Sequence, residues 1–396
     1  MLSFTSFLTE AKVEKLKHLE HAEDHIVNSG AAGFEHASKT LIGVHNALQG
    51  RKSRVKITTK WDGAPSIVFG THPENGKFFV ASKSAFNKNP KINYTDKDIE
   101  KNHGHAPGLV EKLKHALAHL PKVTPRGRVF QGDMMYTPGD VSSSSTHYNF
   151  KPNTINYSIR KDSEEGKKVG KAKVGVAVHT EYKGRTLDSM KAHFGPNVNS
   201  FGKHRDVHVI DTQTGIEDLK DTYKPEHRRE FISSMRKAQQ LHRGHDYRHL
   251  QGHEMHVATY INQNVRSGET ASVEGLMRHA AARNAAAGSK LKSAAGKAKV
   301  AAKNSADMEH IKKNKAAFQR TFEIHRHLQN AKHALVDALN DSGDYEHSIE
   351  GRKTSGEGHV AIINNMPTKL VSRRQGDFAA SNLLAGGVKA KMAERK

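Results

Sequence analysis

A long strand-free stretch lying between two stretches that read as strands constrains the fold more than any other feature of this sequence. In residues 53–80 the segments VKITTKWDGAPSIVFG and GKFFVAS carry β-branched and aromatic residues in short runs broken by Gly and Pro, the pattern of paired strands. Further strands are expected over residues 128–134, after the turn Pro125-Arg126-Gly127, and over residues 172–182. After about Gly215 the pattern turns helical as far as Leu339, and strand-like sequence returns at residues 359–363 and 368–371. The simplest chain of this kind is an α+β protein whose β-rich unit is interrupted by a helical insertion.

Within the insertion, a long helix is expected over residues 306–339. Ile311, Phe318, Phe322, Leu328, Ala331, Leu335 and Leu339 recur mostly at intervals of three, four or seven, with Ser305 placed to cap the helix and Gly343 to end it. Residues 12–49 also read as helical, in two pieces divided near Asn28-Ser29-Gly30, and residues 108–120 form another expected helix.

Charge narrows the partners. With Lys+Arg 63 and Asp+Glu 41 the formal net charge is 63 − 41 = +22, a field that draws in polyanions and makes nucleic acid the default partner. Cys is absent, which removes disulfides, thiolate nucleophiles and Cys-based zinc sites and leaves Lys, His, carboxylates and hydroxyls for any chemistry. With no apolar run long enough to span a bilayer, no membrane partner is expected.

The sharpest local feature is Lys60-Trp61-Asp62-Gly63, directly after the expected strand 55–59. A lysine at a strand end, followed by a carboxylate two residues on and by a glycine that allows close backbone approach, has the makings of a covalent nucleophile. The bland alternative is a surface Lys-x-Asp beside a turn. Histidines recur four apart at His21/His25, His115/His119, His204/His208, His245/His249 and His249/His253; they are read as solvated or as lining a nucleic-acid surface, since His253-Glu254-Met255-His256 lacks the spacing of a zinc-protease helix. The stretch from Ala280 to Lys303 is rich in Lys and Ala and poor in aromatics. It reads equally as a phosphate-neutralising segment or as a solvated helix.

Lys-x-Asp-Gly is the nucleophile motif of the covalent nucleotidyltransferases, the superfamily of ATP-dependent DNA ligases, RNA ligases and capping enzymes, and the sequence resembles that superfamily from about Arg54 to Phe378 outside the insertion. Gly132-Asp133 resembles its Gly-Glu motif with Asp in place of Glu. The segment KVGVAVHTEY stands where an aromatic ring stacks on adenine, with Val178 or His179 at that position. Glu357-Gly358-His359-Val360 resembles the following Glu-Gly-hydrophobic motif, and Lys369 resembles a lysine of the final Lys-x-Lys motif, with Arg373 or Arg374 left to supply the second cation. Lys83 stands where the family carries a basic phosphate contact.

The resemblance implies a ligase-type nucleotidyltransferase core of antiparallel sheets that uses ATP and Mg²⁺. Lys60, Asp62, Glu357 and Lys369 would be catalytic; Gly63, Lys83, Asp133, His179 and Arg373 would bind the nucleotide; Asp133 and Glu357 would hold the metal. Lys60 would form lysyl-AMP and pass AMP to a nucleic-acid 5′-phosphate. Only 18 residues follow Phe378, so no appended C-terminal OB-fold is expected.

The first ten residues, MLSFTSFLTE, resemble the capsid-targeting peptides of internal head proteins of tailed phages, which end in an aliphatic-x-Glu site for the prohead protease, here Leu8-Thr9-Glu10. That resemblance implies a virion interior or an infected host cytoplasm, with the protease and the capsid scaffold as partners. The expected organisation is a cleaved peptide (1–10), a helical segment (11–52), the core (53–215), a basic helical insertion (216–345), return strands of the core (346–380) and a basic tail (381–396). The competing reading, from a different class, is a non-catalytic basic internal capsid protein that binds packaged DNA on a relic of the same fold.

Overall fold

The computed structural model describes residues 19–214, 223–340 and 345–374. The chain divides into two compact units, one built from residues 56–214 and 345–367, the other from residues 20–55, 223–340 and 368–374. The N-terminal helix α1 (His25–Leu48) thus belongs with the helical region rather than standing as a segment of its own. It breaks at Gly30 (φ 52°), where the sequence marks a division; a Cβ there would stand 2.8 Å from Cβ of Tyr247, so close packing as well as backbone geometry asks for glycine.

The first unit carries the strands. β1 (Lys56–Thr59), β2 (Ser66–Thr71) and β3 (Phe78–Ala81) are followed by helices α2 (Asp96–His103) and α3 (Pro107–His119). Next come β4 (Val129–Tyr136), β5 (Val141–Ser143), β6 (His147–Phe150), β7 (Asn156–Arg160), the short helix α4 (Glu164–Val169), β8 (Val174–Lys183), β9 (Lys191–Phe194) and β10 (Val207–Ile210). After the insertion the chain returns as β11 (Glu346–Ile349), β12 (Arg352–Thr354), β13 (His359–Ile363) and β14 (Met366–Leu370), and it passes into the second unit at Thr368.

One sheet has the order β10-β8-β4-β2-β3, with β9 also pairing with β8; another has the order β12-β11-β7-β6-β5. The period-2 pattern decides which side chains go inside. Ile67 and Phe69 pack with Phe130, Val176, Leu113 and Leu120 under α3, whereas Val68 packs with Phe79, Val129 and Tyr182 on the opposite face. The expectation of antiparallel sheets fails at one edge, because β10 runs parallel to β8. β1 does not pair with its chain neighbour β2. Its partner is β13, antiparallel, with Thr59 opposite His359.

The second unit is helical: α5 (Pro225–His242), α6 (Glu254–Ser267), α7 (Val273–Ser289), α8 (Ala294–Lys313) and α9 (Lys315–Leu339) join α1. Among its described residues from 223 to 340 there is no strand. The expected stripe is buried on α9 at Phe318, Phe322, Leu328, Leu335 and Leu339. The expected single helix is nevertheless two, broken at Asn314 (φ −105°, ψ 22°). Ser305 therefore caps nothing and lies inside α8, which is capped instead by Ser293 accepting from the N–H of Gly296 at 3.1 Å. Gly343, the peptide 1–10 and the tail 381–396 lie outside the described residues. The fold is mixed α+β with a large helical region, and none of its sheets closes into a barrel among the described residues.

Candidate active site

Pairing of β1 with β13 brings together two motifs that are far apart in sequence. The Lys60 N–H donates to the carbonyl of Gly358 at 2.8 Å, which extends the ladder one residue beyond Thr59 and His359. Glu357 then falls beside Lys60, and Lys60 Nζ donates to Glu357 Oε1 in a short, mostly buried ion pair between residues 297 apart. Glu357 lies between Gly356 (φ 80°) and Gly358 (φ 127°), backbone settings that free the chain to turn at the carboxylate. Burial pushes the Glu357 carboxyl above its usual range; Lys60 opposes the shift, and the nearby carboxylates of Asp62 and Asp133 add to it.

Asp62 is 4% exposed, and both oxygens of its carboxylate accept hydrogen bonds. Oδ1 accepts from Asn153 Nδ2 at 2.7 Å, and Oδ2 accepts from the N–H groups of Thr154 at 2.7 Å and Ile155 at 2.8 Å. Its own N–H donates to Tyr157 Oη at 2.8 Å. Asp62 thus orients the loop after β1 by tying it to the turn before β7. These bonds give Asp62 a positioning role in the loop that carries Lys60. Trp61 packs its ring 5.3 Å from Tyr157 and 5.2 Å from Tyr345, next in sequence to Lys60.

Gly63 is required by approach distance. A Cβ there would lie 2.6 Å from Cβ of Asp133 and 2.8 Å from Sδ of Met135. The contact is fixed by two backbone bonds, Ala64 N–H to the Met134 carbonyl and Met134 N–H to the Pro65 carbonyl, each 3.0 Å. The glycine therefore lets the lysine loop lie on the strand that carries Asp133.

Asp133 sits opposite Ser66 on β2 and Ala177 on β8. The β4–β8 register slips at Gln131/Gly132, so that Gln131 faces Thr180 and Gly132 faces Val178, leaving His179 as the bulged residue. A Cβ on Gly132 would be 2.7 Å from the Ala177 carbonyl oxygen, which accounts for glycine at the bulge. Val178 is in the apolar core. His179 instead brings Nε2 to 3.6 Å from Asp133 Oδ1, with Nδ1 2.8 Å from Thr180 Oγ1. Burial alone would raise Asp133, but His179, a hydrogen bond from Ser66 and the charge of Lys60 outweigh it and hold the carboxyl below its usual range.

The first unit thus gathers Lys60, Asp62, Gly63, Asp133, His179 and Glu357. Lys83 is exposed in a 3₁₀ turn (Lys83–Phe86) after β3, and no hydrogen bond or ion pair joins it to this group among the described residues. Lys369 lies on the part of β14 that belongs to the second unit, where its N–H donates to the Glu20 carbonyl at 2.8 Å. Arg373 is a correction to the sequence reading. Its guanidinium is buried in the second unit and grips Asp24 through Nη1 at 2.9 Å and Nη2 at 2.7 Å, so it is committed to a structural ion network instead of a phosphate. Arg374 is likewise paired, with Asp337 at 2.5 and 2.9 Å.

Asp133 and Glu357 are not part of a preformed three-ligand cluster among the described residues. The one such cluster, Glu23, Asp24 and His325, is already neutralised by Lys332 and Arg373, which leaves no charge for a metal to balance. Sequence reasoning missed Ser66, Asn153 and Tyr157. Ser66 follows the motif closely enough for strand alternation to suggest it, whereas Asn153 and Tyr157 carry no local signal.

The fold and the lysine–carboxylate constellation define an α+β protein with a charged site on its β-rich unit. The chain belongs to the family described as a family of unknown function, DUF6267, which matches residues 16–386. Neither a curated protein nor a solved structure matches it.

Proposed function

We propose that the chain is an ATP-dependent nucleotidyltransferase that forms lysyl-AMP at Lys60 and passes AMP to a nucleic-acid 5′-phosphate. The observation that carries this reading is the Lys60–Glu357 ion pair, since two motifs of the resemblance meet across the β1–β13 ladder. To attack, the lysine must shed a proton, and a carboxyl raised by burial is a suitable acceptor within reach. The Nζ–P bond to the α-phosphorus forms as the bond from that phosphorus to the bridging oxygen breaks, and pyrophosphate leaves. In the second step an oxygen of the 5′-phosphate attacks the same phosphorus, the N–P bond breaks and Lys60 regains a proton.

Asp133, held ionised, and Glu357 supply the hard oxygen ligands that would hold Mg²⁺, whose charge when bound would offset that of the phosphates. His179, turned out by the bulge, is the side chain available to flank the nucleotide. A virion destination, with the prohead protease and scaffold as partners, belongs to the same reading; the family match begins at residue 16, beyond the expected cleavage point.

A second reading, a basic internal capsid protein that binds DNA on a relic fold, is favoured by one observation: Arg373, a candidate for half of the phosphate clamp, is spent on Asp24. One experiment separates the two. Wild-type protein incubated with α-labelled ATP and Mg²⁺ should carry label on the denatured chain, and Lys60→Ala should carry none. An unlabelled wild type that still binds DNA supports the relic, and label persisting on Lys60→Ala overturns the assignment of the nucleophile.

A further inference from the structure

The α7–α8 hairpin carries charge that folding does not use. Residues 275–306 contain seven Lys and Arg and not one Asp or Glu. Two of the seven are engaged near the base: Arg283 donates to Thr259 Oγ1 at 2.7 Å, and Lys303 to Asp307 at 2.7 and 2.9 Å. Lys290, Lys292, Lys297 and Lys299, around the turn and the first turns of α8, are exposed and have no ion-pair partner among the described residues. Unbalanced like charges repel, so this clustering costs stability unless an anion answers it.

Packing does not explain α8 either, since only Asp307 and Ile311 of its 20 residues are buried. Its exposed half is mostly Ala, Lys and Gly, so the helix rests on alanine propensity and leaves a thin backbone edged by lysines. The base, by contrast, is fixed. Buried Asp307 accepts from Asn284 Nδ2 on α7 at 3.0 Å and lies 3.5 Å from His253 Nε2 and 3.4 Å from His256 Nε2, where α6 begins.

We infer that the α7–α8 hairpin is a prong that binds the phosphate backbone of duplex nucleic acid without reading its sequence. Residues 275–306 have no Phe, Trp or Tyr, so stacking on unpaired bases is excluded as the source of affinity. Leu291 is the only large hydrophobic side chain exposed there among the described residues, too little apolar surface for a helix to lie in a lipid interface. Residues 290–303, which hold Lys290, Lys292, Lys297 and Lys299, contain no aromatic or carboxamide side chain, and lysines of that kind neutralise phosphates and carry no base readout. This inference does not rest on the chemistry of Lys60.

The test is fluorescence anisotropy of the full chain on a labelled duplex of about 24 base pairs, titrated from roughly 50 to 200 mM salt. The variant has Lys290, Lys292, Lys297 and Lys299 changed to Gln. A control removes the same charge from exposed lysines of the other unit, Lys77, Lys88, Lys101 and Lys203 to Gln. The hairpin variant should lose about 10- to 100-fold in affinity, and its log K against log salt slope should become shallower by up to about 3.6, at about 0.9 for each of the four lysines. The control should bind as the wild type, a second duplex of shuffled sequence should bind equally, and ATP labelling should be unchanged in the hairpin variant. An unchanged slope in the hairpin variant, an equal loss in the control, tighter binding to a single strand than to duplex, or an equal hairpin-dependent affinity for anionic vesicles would each overturn the inference.

Discussion

Lys60 and Glu357 form an ion pair in which the carboxylate is the more buried partner, 14% exposed against 24% for the lysine side chain. Burial raises the Glu357 carboxyl while Lys60 opposes the shift, and the proposed function uses this carboxyl as the acceptor of the lysine proton. Glu357→Gln keeps the size and a hydrogen bond but cannot take the proton. Adduct formation with labelled ATP should slow by about 10²-fold or more in this variant, as measured in a single-turnover time course. Lys60→Arg should form no adduct at all, because a guanidinium remains protonated.

Asp62→Ala should act on the loop. It leaves the N–H groups of Thr154 and Ile155 and the Asn153 amide without their acceptor, three bonds to a charged group in a buried setting. A stability loss of about 2–4 kcal/mol is expected. Hydrogen exchange should show the amides of Thr154 and Ile155 losing protection while those of β8 keep theirs. Unchanged protection at both amides would mean that Asp62 does not organise this turn.

What the sequence made legible was local and periodic. The apolar stripe of α9, the β-branched and aromatic run of β2, the division at Gly30 and the close approach at Gly63 each have a signal within a few residues. The partner of β1 did not, because pairing with β13 is decided by a contact across about 300 residues and periodicity says only that a strand exists. The bulge that turns His179 outward is a register shift between two strands, invisible in either one alone. Arg373 was misread for a similar reason. Its position near a lysine motif suggested a phosphate clamp, while its true partner, Asp24, lies 349 residues away.

Acid sensitivity should come in part from histidines kept neutral. Burial pushes His359 down to about 4, with His347 adding to the effect, and burial also brings His347 to about 4. Both lie below the ordinary value of about 6.5, so between roughly pH 6.5 and 4 the unfolded chain binds more protons than the folded one, and stability falls as pH falls through that window. His359→Leu removes one of these protons. Its urea midpoint, followed from pH 7 to 4, should decline less steeply than that of the wild type; an equal slope would remove His359 from the acid response.

In the helical unit, Lys332 Nζ donates to Glu23 Oε1 at 2.6 Å with both side chains fully buried, and burial pulls the lysine down to about 8 despite its partner. A pair of this kind is costly to break from one side. Lys332→Met should destabilise the unit by about 3 kcal/mol, because Glu23 would keep only Arg373, at 3.5 Å. Lys332→Met combined with Glu23→Leu should recover most of that loss, since two apolar side chains leave no buried charge unpaired. Denaturation followed by helical circular dichroism measures both, and a double variant as unstable as the single would show that the site cannot be packed with apolar groups.

The proposed virion destination can be tested at the N-terminal decapeptide. Its apolar residues Leu2, Phe4, Phe7 and Leu8 precede Glu10, and a chain of net charge +22 is suited to the polyanionic interior of a DNA-filled head. If Leu8-Thr9-Glu10 is a processing site, protein recovered from virions should begin at Ala11, and Glu10→Ala should leave the peptide attached, because a protease that selects an acidic residue before the scissile bond loses its main polar contact with alanine there. Glu10→Gln distinguishes charge from size: it should also resist cleavage if the carboxylate is what is read. N-terminal sequencing of particle-derived protein is the measurement. Mature virions that contain the chain with Met1 intact would remove the cleavage, and particles lacking the chain would confine it to the infected cytoplasm, where ATP is plentiful and the proposed chemistry at Lys60 would have its substrate.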